Sequence, residues 1–309
     1  MSRILVTGGA GFIGSHLTDA FIAAGHEVCV VDNLYSGFRH QVNSSARFIE
    51  MDIADRAIET IFLDFRPEVV VHQAAQMDVR KSVSDPMFDA KVNILGSINL
   101  LESCRKYEVR KVLFASTGGA IYGEQDYFPA DENHPLRPVS PYGICKATVE
   151  KYLFYYHTVY GLSYISLRYG NIYGPKQNPH GEAGVIAIFA KKLLAGAQPV
   201  INGDGLQTRD YTFVGDVVKA NLLALNHQGS GVFNVGTGHE TTVNELFHLI
   251  NSGLGTGANE VHAETKAGEQ RRSVLSSAKI KSEMGWAPST TLKDGLPETL
   301  RWFSETYRS

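Results

Sequence analysis

Residues 7–14, with the sequence TGGAGFIG, constrain this chain more than any other stretch. The apolar run at residues 4–6 leads into it and predicts a short buried strand. The residues that follow predict a helix, because apolar side chains recur on one helical face. That face is formed by Ile13, Leu17, Ala20, Phe21 and Ala24. Gly25 stands where a glycine commonly ends a helix, so the sequence predicts a strand, a tight turn and a helix in direct succession.

The glycines at 8, 11 and 14 suit a turn whose backbone approaches a pyrophosphate and whose helix N-terminus faces the negative charge. Their spacing differs from the commonest G-x-G-x-x-G fingerprint, and a glycine turn by itself is equally compatible with a plain loop. A second strand-like run at residues 28–31 ends in Asp32, which lies 24 residues after Gly8. An acidic residue at that distance is placed to accept hydrogen bonds from an adenosine ribose. The combination favours a dinucleotide site.

The bulk composition excludes several classes of protein. With 309 residues, 43% of them hydrophobic, the chain can form one large domain or two unequal ones. A net charge of -3 disfavours a nucleic-acid partner, and no apolar run approaches the ~18 residues of a membrane span. Cys29, Cys104 and Cys145 are odd in number and widely spaced, which argues against disulfides and against a metal site. We expect no signal peptide and a cytoplasmic location.

Strand and helix patterns alternate through the first half of the chain. Further strands are predicted at residues 47–51, 69–72, 111–115 and 162–168. Helices are predicted in a segment that ends at residue 65, from about residue 86 to residue 107, and at residues 142–160. In the long second helix we expect Val92, Leu95, Leu100 and Leu101 to face inward. This alternation predicts an α/β fold with a doubly wound parallel sheet of the Rossmann type.

The pattern changes after residue 169, where loops and shorter elements begin. Helices are predicted at 184–194, from 216, from 243 and at 292–307, and strands near 200–201, 208–214 and 232–233. We predict a dinucleotide-binding domain of residues 1–169 plus about 208–235. Residues of about 170–207 and 236–309 would form a smaller C-terminal α/β substrate-binding domain.

Tyr142 and Lys146 carry the predicted chemistry. They are four residues apart at the start of a helix, so their side chains share a face. A tyrosine is a poor base at neutral pH, but a nearby ammonium favours the phenolate and lowers the tyrosine pKa. Ser116 and Thr117 follow a strand at the edge where ligands of such sheets bind. A second pair with the same spacing, Tyr107 and Lys111, lacks this context, and we assign it no role.

A family resemblance rests on motifs spread over nearly the whole chain. TGGAGFIG, VVDN, MDI, HQAA, STGGAIYG, SPYGICK, LRYGNIYGP and NGDGLQTRDYTFV occur in the order seen in extended short-chain dehydrogenases/reductases. Within that superfamily the chain resembles UDP-glucose 4-epimerase and its relatives that act on nucleotide sugars. The resemblance implies an NAD cofactor, a UDP-sugar substrate and a homodimer.

The resemblance also implies a set of cofactor-binding residues. Gly8, Gly11, Phe12, Ile13 and Gly14 would hold the pyrophosphate, Asp32 and Asn33 the adenosine ribose, and Asp52 and Ile53 the adenine. Ala74, Ala75 and Gln76 would line the cofactor, with Asn93 supporting them from the helix behind. Gly37, Tyr142, Lys146 and Tyr169 complete the predicted cofactor site.

For the substrate, the resemblance implies that Tyr142 is the base and that Lys146 tunes it. Thr117, with Ser116 as the less favoured choice, would hydrogen-bond the sugar 4-hydroxyl. The nucleoside diphosphate would be held by Asn171, Val185, Phe189, Asn202 and Arg209. Arg209 suits phosphate independently, although it could instead pair with Asp204 or Asp210. Val185 and Phe189 could be ordinary core residues.

Three positions depart from the family pattern or depend on its alignment. The second phosphate contact would come from Arg271 or Arg272, or from Lys266, which stands where the family often has an arginine. Gly170 occupies a position where many epimerases have an aromatic residue. Aligning Gly268-Glu269 with the family's Gly-Asp places Ser273 beside C2 of the sugar. A serine there leaves room for an N-acetyl group, unless Ser273 faces solvent.

Three functions compete on the sequence. The first is NAD-dependent 4-epimerisation of a UDP-hexose, in which hydride leaves and returns at C4 through a 4-keto intermediate. The second is a nucleotide-sugar 4,6-dehydratase or decarboxylase, which in the family carries an acidic residue directly after the Ser/Thr; here Gly118-Gly119 offer no such group. The third is a non-catalytic NAD-sensing or scaffold protein, which would not need an intact Tyr–Lys pair.

The predicted homodimer rests on the helix at residues 142–160. Its aromatic residues spread over more faces than one core contact can cover. They are Tyr152, Phe154, Tyr155, Tyr156 and Tyr160. Related enzymes pair through this helix and the long helix that precedes it.

Overall fold

A computed structural model describes residues 1–179, 184–265 and 270–307. Its strands are β1 (Arg3–Thr7), β2 (Glu27–Asp32), β3 (Arg47–Glu50), β4 (Val69–His72), β5 (Lys111–Thr117), β6 (Ser163–Tyr169), β7 (Asn171–Tyr173), β8 (Ile201–Asn202), β9 (Thr208–Arg209), β10 (Tyr211–Phe213), β11 (Gly231–Val235), β12 (Thr241–Thr242) and β13 (His262–Ala263).

The helices are α1 (Phe12–Ala23), α2 (Glu59–Phe65), α3 (Val79–Ser84), α4 (Pro86–Ala90), α5 (Gly96–Lys106), α6 (Gly118–Ile121), α7 (Pro141–Tyr160), α8 (Val185–Leu194), α9 (Val214–Asn226), α10 (Val243–Leu254), α11 (Ala278–Met284) and α12 (Leu292–Tyr307). A π-helical segment, Lys91–Leu95, joins α4 to α5, and two 3-10 turns, Arg39–Gln41 and Arg56–Ile58, precede β3 and α2.

Seven parallel strands form the main sheet, in the order β3-β2-β1-β4-β5-β6-β11. The strand order reverses between β1 and β4, so the carboxyl ends of these two strands form the topological switch point. Ligands of doubly wound sheets bind at such a switch point. The predicted fold class is therefore confirmed.

Helices cover both faces of this sheet. On one face α1, α9 and α11 contribute Leu17, Phe21, Val217 and Ile280 to a core that also contains Trp286. On the other face α2, α5 and α7 pack through buried side chains such as Phe62, Leu100 and Val149. Since the apolar runs of β1 and β4 are buried on both sides, their near-continuous hydrophobicity follows from the two helical layers.

The predicted long helix departs from its expected phase. Leu95 is exposed and Val92 is half-buried, whereas Asn93 and Ser97 are buried. The cause is the π-helical segment Lys91–Leu95, which adds a residue to one turn and rotates the side chains around it. The expectation that Leu95 faces inward is therefore wrong, and a polar residue, Asn93, turns inward instead, where it contacts Gln76 and Asp89.

A second core lies beside the sheet. It is built from α8, α10, α12, β7 and β10, with Phe189, Phe247, Leu246 and Phe303 among its buried members. β11 returns from this region to the edge of the main sheet, where it pairs with β6. The two-domain division stays a prediction. It assigns Ile280 and Trp286 to the smaller domain, but both side chains pack with the main sheet.

Among the described residues, no helix is long and apolar enough to cross a membrane. The three cysteines are buried and unpaired, and burial raises the pKa of each thiol. No group of three or more histidine, cysteine or acidic side chains within the described ranges is arranged to hold a metal ion.

Candidate active site

The glycine turn between β1 and α1 forms a cradle that side chains would fill. Gly8 has a φ of +71°, and a Cβ there would lie 2.6 Å from the Ala74 nitrogen. A Cβ on Gly14 would lie 2.1 Å from the Gly8 carbonyl oxygen. Gly11 is the N-cap of α1 and has no side chain to cover the first amides of the helix. The cradle fits a dinucleotide pyrophosphate.

Asp32, at the end of β2, lies across this turn. Its two carboxylate oxygens accept hydrogen bonds from the amides of Ala10, at 3.0 Å, and Leu34, at 2.8 Å. Burial raises the pKa of the Asp32 carboxyl, and the two amides lower it. The backbone therefore holds the carboxylate in one place, with lone pairs left to accept from a ribose. Gly37 packs against Ala10, where a Cβ would come within 2.8 Å of the carbonyl carbon.

The residues predicted for the adenine lie next to Asp32. Asn33 donates to the Asp52 carboxylate at 2.9 Å, and β2 and β3 are adjacent strands. Ile53 is buried, whereas Asn33 is exposed. The structure thus brings these residues together at one end of the crevice.

Ala74 and Ala75 follow β4 and remain half-buried, while the side chain of Gln76 is buried. Asn93 holds this loop by two hydrogen bonds, accepting from the Gln76 amide and donating to the Gln76 carbonyl, each at 2.9 Å. The position of Asn93 is consistent with the supporting role expected for it.

A buried histidine that we did not predict lies beneath the loop. The Ser97 hydroxyl donates its one proton to the Asn93 carbonyl, so it must accept from His72 Nε2. The other ring nitrogen, His72 Nδ1, accepts from the Thr7 hydroxyl. Burial and then the Lys146 charge lower the pKa of His72 to about 3. His72 is a neutral connector between β1, β4 and α5, and only its place in the apolar strand VVVH marked it in the sequence.

Tyr142 and Lys146 occupy the first turns of α7 and share a face, as expected. Ser140 caps the helix by accepting from the Gly143 amide at 3.2 Å. The Lys146 ammonium lies 5.8 Å from the Tyr142 ring centroid and donates to the Ala115 carbonyl at 2.8 Å. Burial lowers the pKa of Lys146 to about 8. Tyr142 is half-buried, so a substrate can reach its ring.

Ser116 and Thr117 end β5 at the carboxyl edge of the sheet, but their hydroxyls make different hydrogen bonds. Ser116 donates to the buried Glu150 carboxylate at 2.7 Å. Thr117 accepts from the Ala120 amide at 3.2 Å, which leaves its own proton free to be donated elsewhere. The geometry favours Thr117 over Ser116 for a sugar hydroxyl.

Tyr169 and Gly170 follow at the end of β6. The Tyr169 hydroxyl accepts from Asn221 at 2.9 Å, and its side chain is buried, which raises its pKa to about 12. A Cβ at Gly170 would lie 2.9 Å from the Asp210 carbonyl oxygen. An aromatic side chain at position 170 would therefore require the backbone to move.

The residues predicted for the diphosphate converge beside this point. Gln207 donates to the Asn202 carbonyl, and the Thr208 amide donates to the Arg271 carbonyl, so Asn202, Arg209 and Arg271 lie in one region. Within the described residues Arg209 pairs with no carboxylate, and its guanidinium donates to the Thr208 carbonyl.

The two alternative partners of Arg209 are engaged elsewhere. Asp204 pairs with Arg271 at 2.8 Å, and Asp210 accepts from Thr237, Gly238 and Leu275. The proposed salt bridge of Arg209 with either aspartate is therefore not formed.

Neither candidate for the second phosphate contact is free. Arg271 pairs with Asp204, and Arg272 pairs with Glu240 at 2.7 Å and stacks over the Phe128 ring at 3.7 Å. Either guanidinium would have to exchange a carboxylate for a phosphate. Lys266 lies outside the described residues, as do Gly268 and Glu269 of the alignment.

On α8, Val185 is half-buried, whereas Phe189 packs edge-on against Phe247 with ring centroids 6.0 Å apart. With 3% of its surface exposed, the Phe189 side chain has little area left for a ligand. The ordinary core role that the sequence left open describes Phe189 better than a substrate contact does. Asn171 is half-buried at the start of β7.

Ser273 is 2% exposed, so the alternative that it faces solvent is excluded. Near it, Gly118 packs against Leu275, where a Cβ would lie 2.3 Å from Leu275 Cδ1. A Cβ on Gly119 would instead lie 3.5 Å from Asn171 Oδ1 and 4.0 Å from Thr117 Oγ1, at ordinary contact distances. Position 119 thus opens toward Thr117, predicted to bind the sugar 4-hydroxyl, and Asn171, predicted to bind the nucleoside diphosphate.

The second tyrosine–lysine pair does not form a site. The Tyr107 hydroxyl donates to Glu59 at 2.8 Å, while the Lys111 ammonium donates to carbonyls at the end of α9, including that of Ala224 at 3.2 Å. The two side chains serve different contacts.

Comparison with known proteins assigns this geometry to a family. Residues 4–236 match the NAD dependent epimerase/dehydratase family. A UDP-glucose 4-epimerase from Thermotoga maritima, solved with UDP-glucose, is 49% identical, with a TM-score of 0.97 over 98% of this chain and 99% of that one.

Two further solved structures are similar over almost their full lengths. A Thermus thermophilus UDP-glucose 4-epimerase in complex with NAD is 46% identical, with a TM-score of 0.92 over 97% of this chain and 98% of that one. A UDP-N-acetylglucosamine 4-epimerase from Methanobrevibacter ruminantium is 35% identical, with a TM-score of 0.94 over 99% of each chain. The similarity therefore covers both the main sheet and the second core.

Proposed function

The chain belongs to the NAD dependent epimerase/dehydratase family, and within this family we propose that it interconverts UDP-glucose and UDP-galactose by NAD-dependent epimerisation at C4. The observation that carries the proposal is the placement of Tyr142, Lys146 and Thr117 at the carboxyl edge of the sheet, beside the glycine cradle. The residues of the glycine cradle would hold NAD, which when bound would supply a reversible hydride acceptor for C4 of the sugar.

The side chains of this protein would hold and move the proton. Tyr142 would accept the proton of the sugar 4-hydroxyl when the 4-keto sugar forms, and would return this proton when the hydroxyl is restored. The Lys146 ammonium favours the Tyr142 phenolate. Thr117 would donate a hydrogen bond to the C4 oxygen, since within the described residues its hydroxyl only accepts, from the Ala120 amide. Ser116 serves the Glu150 network and takes no direct part.

Binding is assigned to the two sides of the crevice. Gly8, Gly11, Gly14 and the amides of α1 would hold the NAD pyrophosphate, with Asp32 on the adenosine ribose. Arg209 would hold the UDP diphosphate, because its guanidinium pairs with no carboxylate within the described ranges and suits phosphate bidentately. The dehydratase hypothesis is disfavoured because Leu275 occupies the space that the Cβ of an acidic residue at position 118 would need.

The direct test is to incubate the purified protein with UDP-galactose and to identify the product sugar by NMR, first without added NAD and then with it. We expect UDP-glucose to form until it reaches equilibrium with the remaining UDP-galactose. A 4-keto-6-deoxy product would establish the dehydratase function instead. NAD binding without any turnover of UDP-galactose or UDP-glucose would favour the non-catalytic alternative.

We further propose that the sugar pocket accepts the N-acetyl forms of both sugars. The similarity to a UDP-N-acetylglucosamine 4-epimerase supports this extension, and Ser273 does not face solvent. Replacing Ser273 by Tyr would fill the space beside C2, so it should abolish activity on UDP-N-acetylglucosamine and spare UDP-glucose. Equal loss on both substrates, or no N-acetyl activity in the parent enzyme, would contradict the idea.

The assembly and location follow from the same family reasoning. We propose a homodimer formed through α7 and the long helical stretch made of Lys91–Leu95 and α5, and a cytoplasmic enzyme that acts on a small nucleotide-sugar substrate. Exposed apolar side chains support the dimer: Leu95 on the π-helical segment, and Ile144, Phe154, Val159 and Tyr160 on α7.

A further inference from the structure

Asp89, on α4, is a fully buried carboxylate that belongs neither to the proposed catalytic residues nor to the proposed binding residues. Its side chain is 0% exposed. A buried charge is costly unless other groups compensate it. The contacts of Asp89 therefore indicate what the charge does.

One oxygen of Asp89 holds the cofactor loop. Oδ1 accepts from Gln76 Nε2 and from Asn93 Nδ2, each at 2.9 Å. Asn93 in turn holds the backbone of Gln76 by two hydrogen bonds. Asp89 thus fixes both side chains that shape the loop after β4.

The other oxygen, Oδ2, is buried and accepts from no N–H or O–H group within the described residues. The neighbouring groups on α7 are the Cys145 thiol and the Lys146 ammonium. Burial is the main cause of the raised pKa of the Cys145 thiol, and Asp89 raises it further. α4 packs directly on α7. Asp89 therefore lies at the contact between α4 and α7, where its negative charge favours the Lys146 ammonium.

The surroundings of Lys146 show why Asp89 matters most to it. Burial lowers the pKa of Lys146, and Asp89, Cys145 and Glu150 oppose that shift, Asp89 most strongly. Glu150 is bound by Arg168 at 2.6 Å and by Ser116 and Ser166, so much of its charge is already compensated. His72 is neutral, and the Phe114 and Tyr142 rings complete the surroundings.

We propose that Asp89 is a positioning residue of the epimerisation: its carboxylate keeps Lys146 in the ammonium form and locks the Gln76 loop to the catalytic helix. The inference rests on the proposed function, because it assigns Asp89 a task in tuning Tyr142. Asp89 touches neither substrate nor cofactor and acts through Lys146, Gln76 and Asn93. The sign is definite: a negative charge favours the ammonium, so its removal lowers the Lys146 pKa.

The test compares the wild type with Asp89→Asn, which removes the charge but keeps an acceptor for Gln76 and Asn93. The NAD-saturated protein carries lysine labelled with ¹³C at Cε, and the Lys146 signal is identified by its absence from Lys146→Met. We expect the Lys146 pKa to fall by about one to two pH units. The basic limb of the kcat/KM profile should shift by the same amount, which lowers kcat/KM roughly 3-fold to 25-fold at about pH 7.5.

Glu102→Gln is the matched control, because it removes a carboxylate from α5 that contacts Arg105 and Tyr156 instead. It should leave the Lys146 pKa unchanged, and Asp89→Glu, which keeps the charge, should restore it. If Asp89→Asn does not fold, Asp89→Ser removes the same charge. An unchanged Lys146 pKa in the charge-removing variant would overturn the proposal, even if its melting temperature falls. Absence of epimerisation in the wild type would overturn the proposed function, while the NMR comparison would still decide the role of Asp89.

Discussion

Single residues decide the chemistry at the carboxyl edge of the sheet. Two tyrosine–lysine pairs with the same spacing have different roles because their surroundings differ. Tyr142 and Tyr107 each precede a lysine by four positions. Only the first pair lies on one helix beside the glycine cradle, since Lys111 is committed to carbonyls of α9. The surroundings of each pair, and not its spacing, give the residues their role.

Tyr142→Phe should keep the fold and the binding of UDP but lower kcat at least roughly 100-fold, because only the proton-transfer group is removed. Tyr107→Phe serves as the control and should leave kcat unchanged. Turnover of UDP-galactose and calorimetric binding of UDP measure the two effects. Near-wild-type epimerisation by Tyr142→Phe would rule Tyr142 out as the base.

Asp32 should make the enzyme select NAD over NADP. Its buried carboxylate would repel a 2′-phosphate, and the next arginine, Arg39, stacks on the Phe48 ring at 4.1 Å. We expect NAD to bind at least roughly tenfold more tightly, about 1.4 kcal/mol. Asp32→Ser should reduce that ratio, whereas the exposed Asp64→Asn should not. Equal affinities of the wild type in a fluorescence titration would refute the prediction.

Helices and turns set where these residues point. The π-helical segment before α5 turns Asn93 inward to the cofactor loop and Leu95 outward. The short helix α6 places two consecutive glycines in different surroundings, one against Leu275 and one toward Asn171. Local geometry at the element scale therefore separates residues that look equivalent in the sequence.

Gly118→Ala should destabilise the protein by about 1–3 kcal/mol, because the added methyl group collides with buried Leu275. Gly119→Ala is the matched control and should stay within about 1 kcal/mol of the wild type, since its Cβ meets only ordinary contacts. Urea unfolding measures both free energies. Equal stability of the two variants would show that Leu275 can move aside.

At the scale of the whole molecule, the helical layer formed by α5 and α7 has an uncovered apolar face. Phe154 is 59% exposed and Val159 is 55% exposed, while Tyr156 is buried and hydrogen-bonded to Glu102. α7 thus contributes one face to the core of this chain and leaves another for a second copy.

Phe154→Glu should shift the solution mass from dimer to monomer at micromolar concentration, because it places a charge in the proposed interface. Leu223→Glu, on α9 at the opposite face of the sheet, should remain dimeric. Light scattering distinguishes the two masses. A monomeric wild type would contradict the prediction.

The sequence by itself determined those features that depend on neighbours along the chain. The strand–turn–helix at residues 3–23, the alternation that builds the sheet, and the shared face of Tyr142 and Lys146 all follow from local spacing. Backbone periodicity and steric limits act over a few residues, so such patterns can be recognised without the fold.

Only the tertiary structure decided which polar groups are already occupied. It committed Ser116 to Glu150, released Arg209 by pairing Asp204 with Arg271, and placed Phe189 in a core. It also brought Asp89 to Lys146, 57 positions away in the chain. Burial and hydrogen bonding depend on all the groups that surround a side chain in space, and most of those groups are distant in sequence.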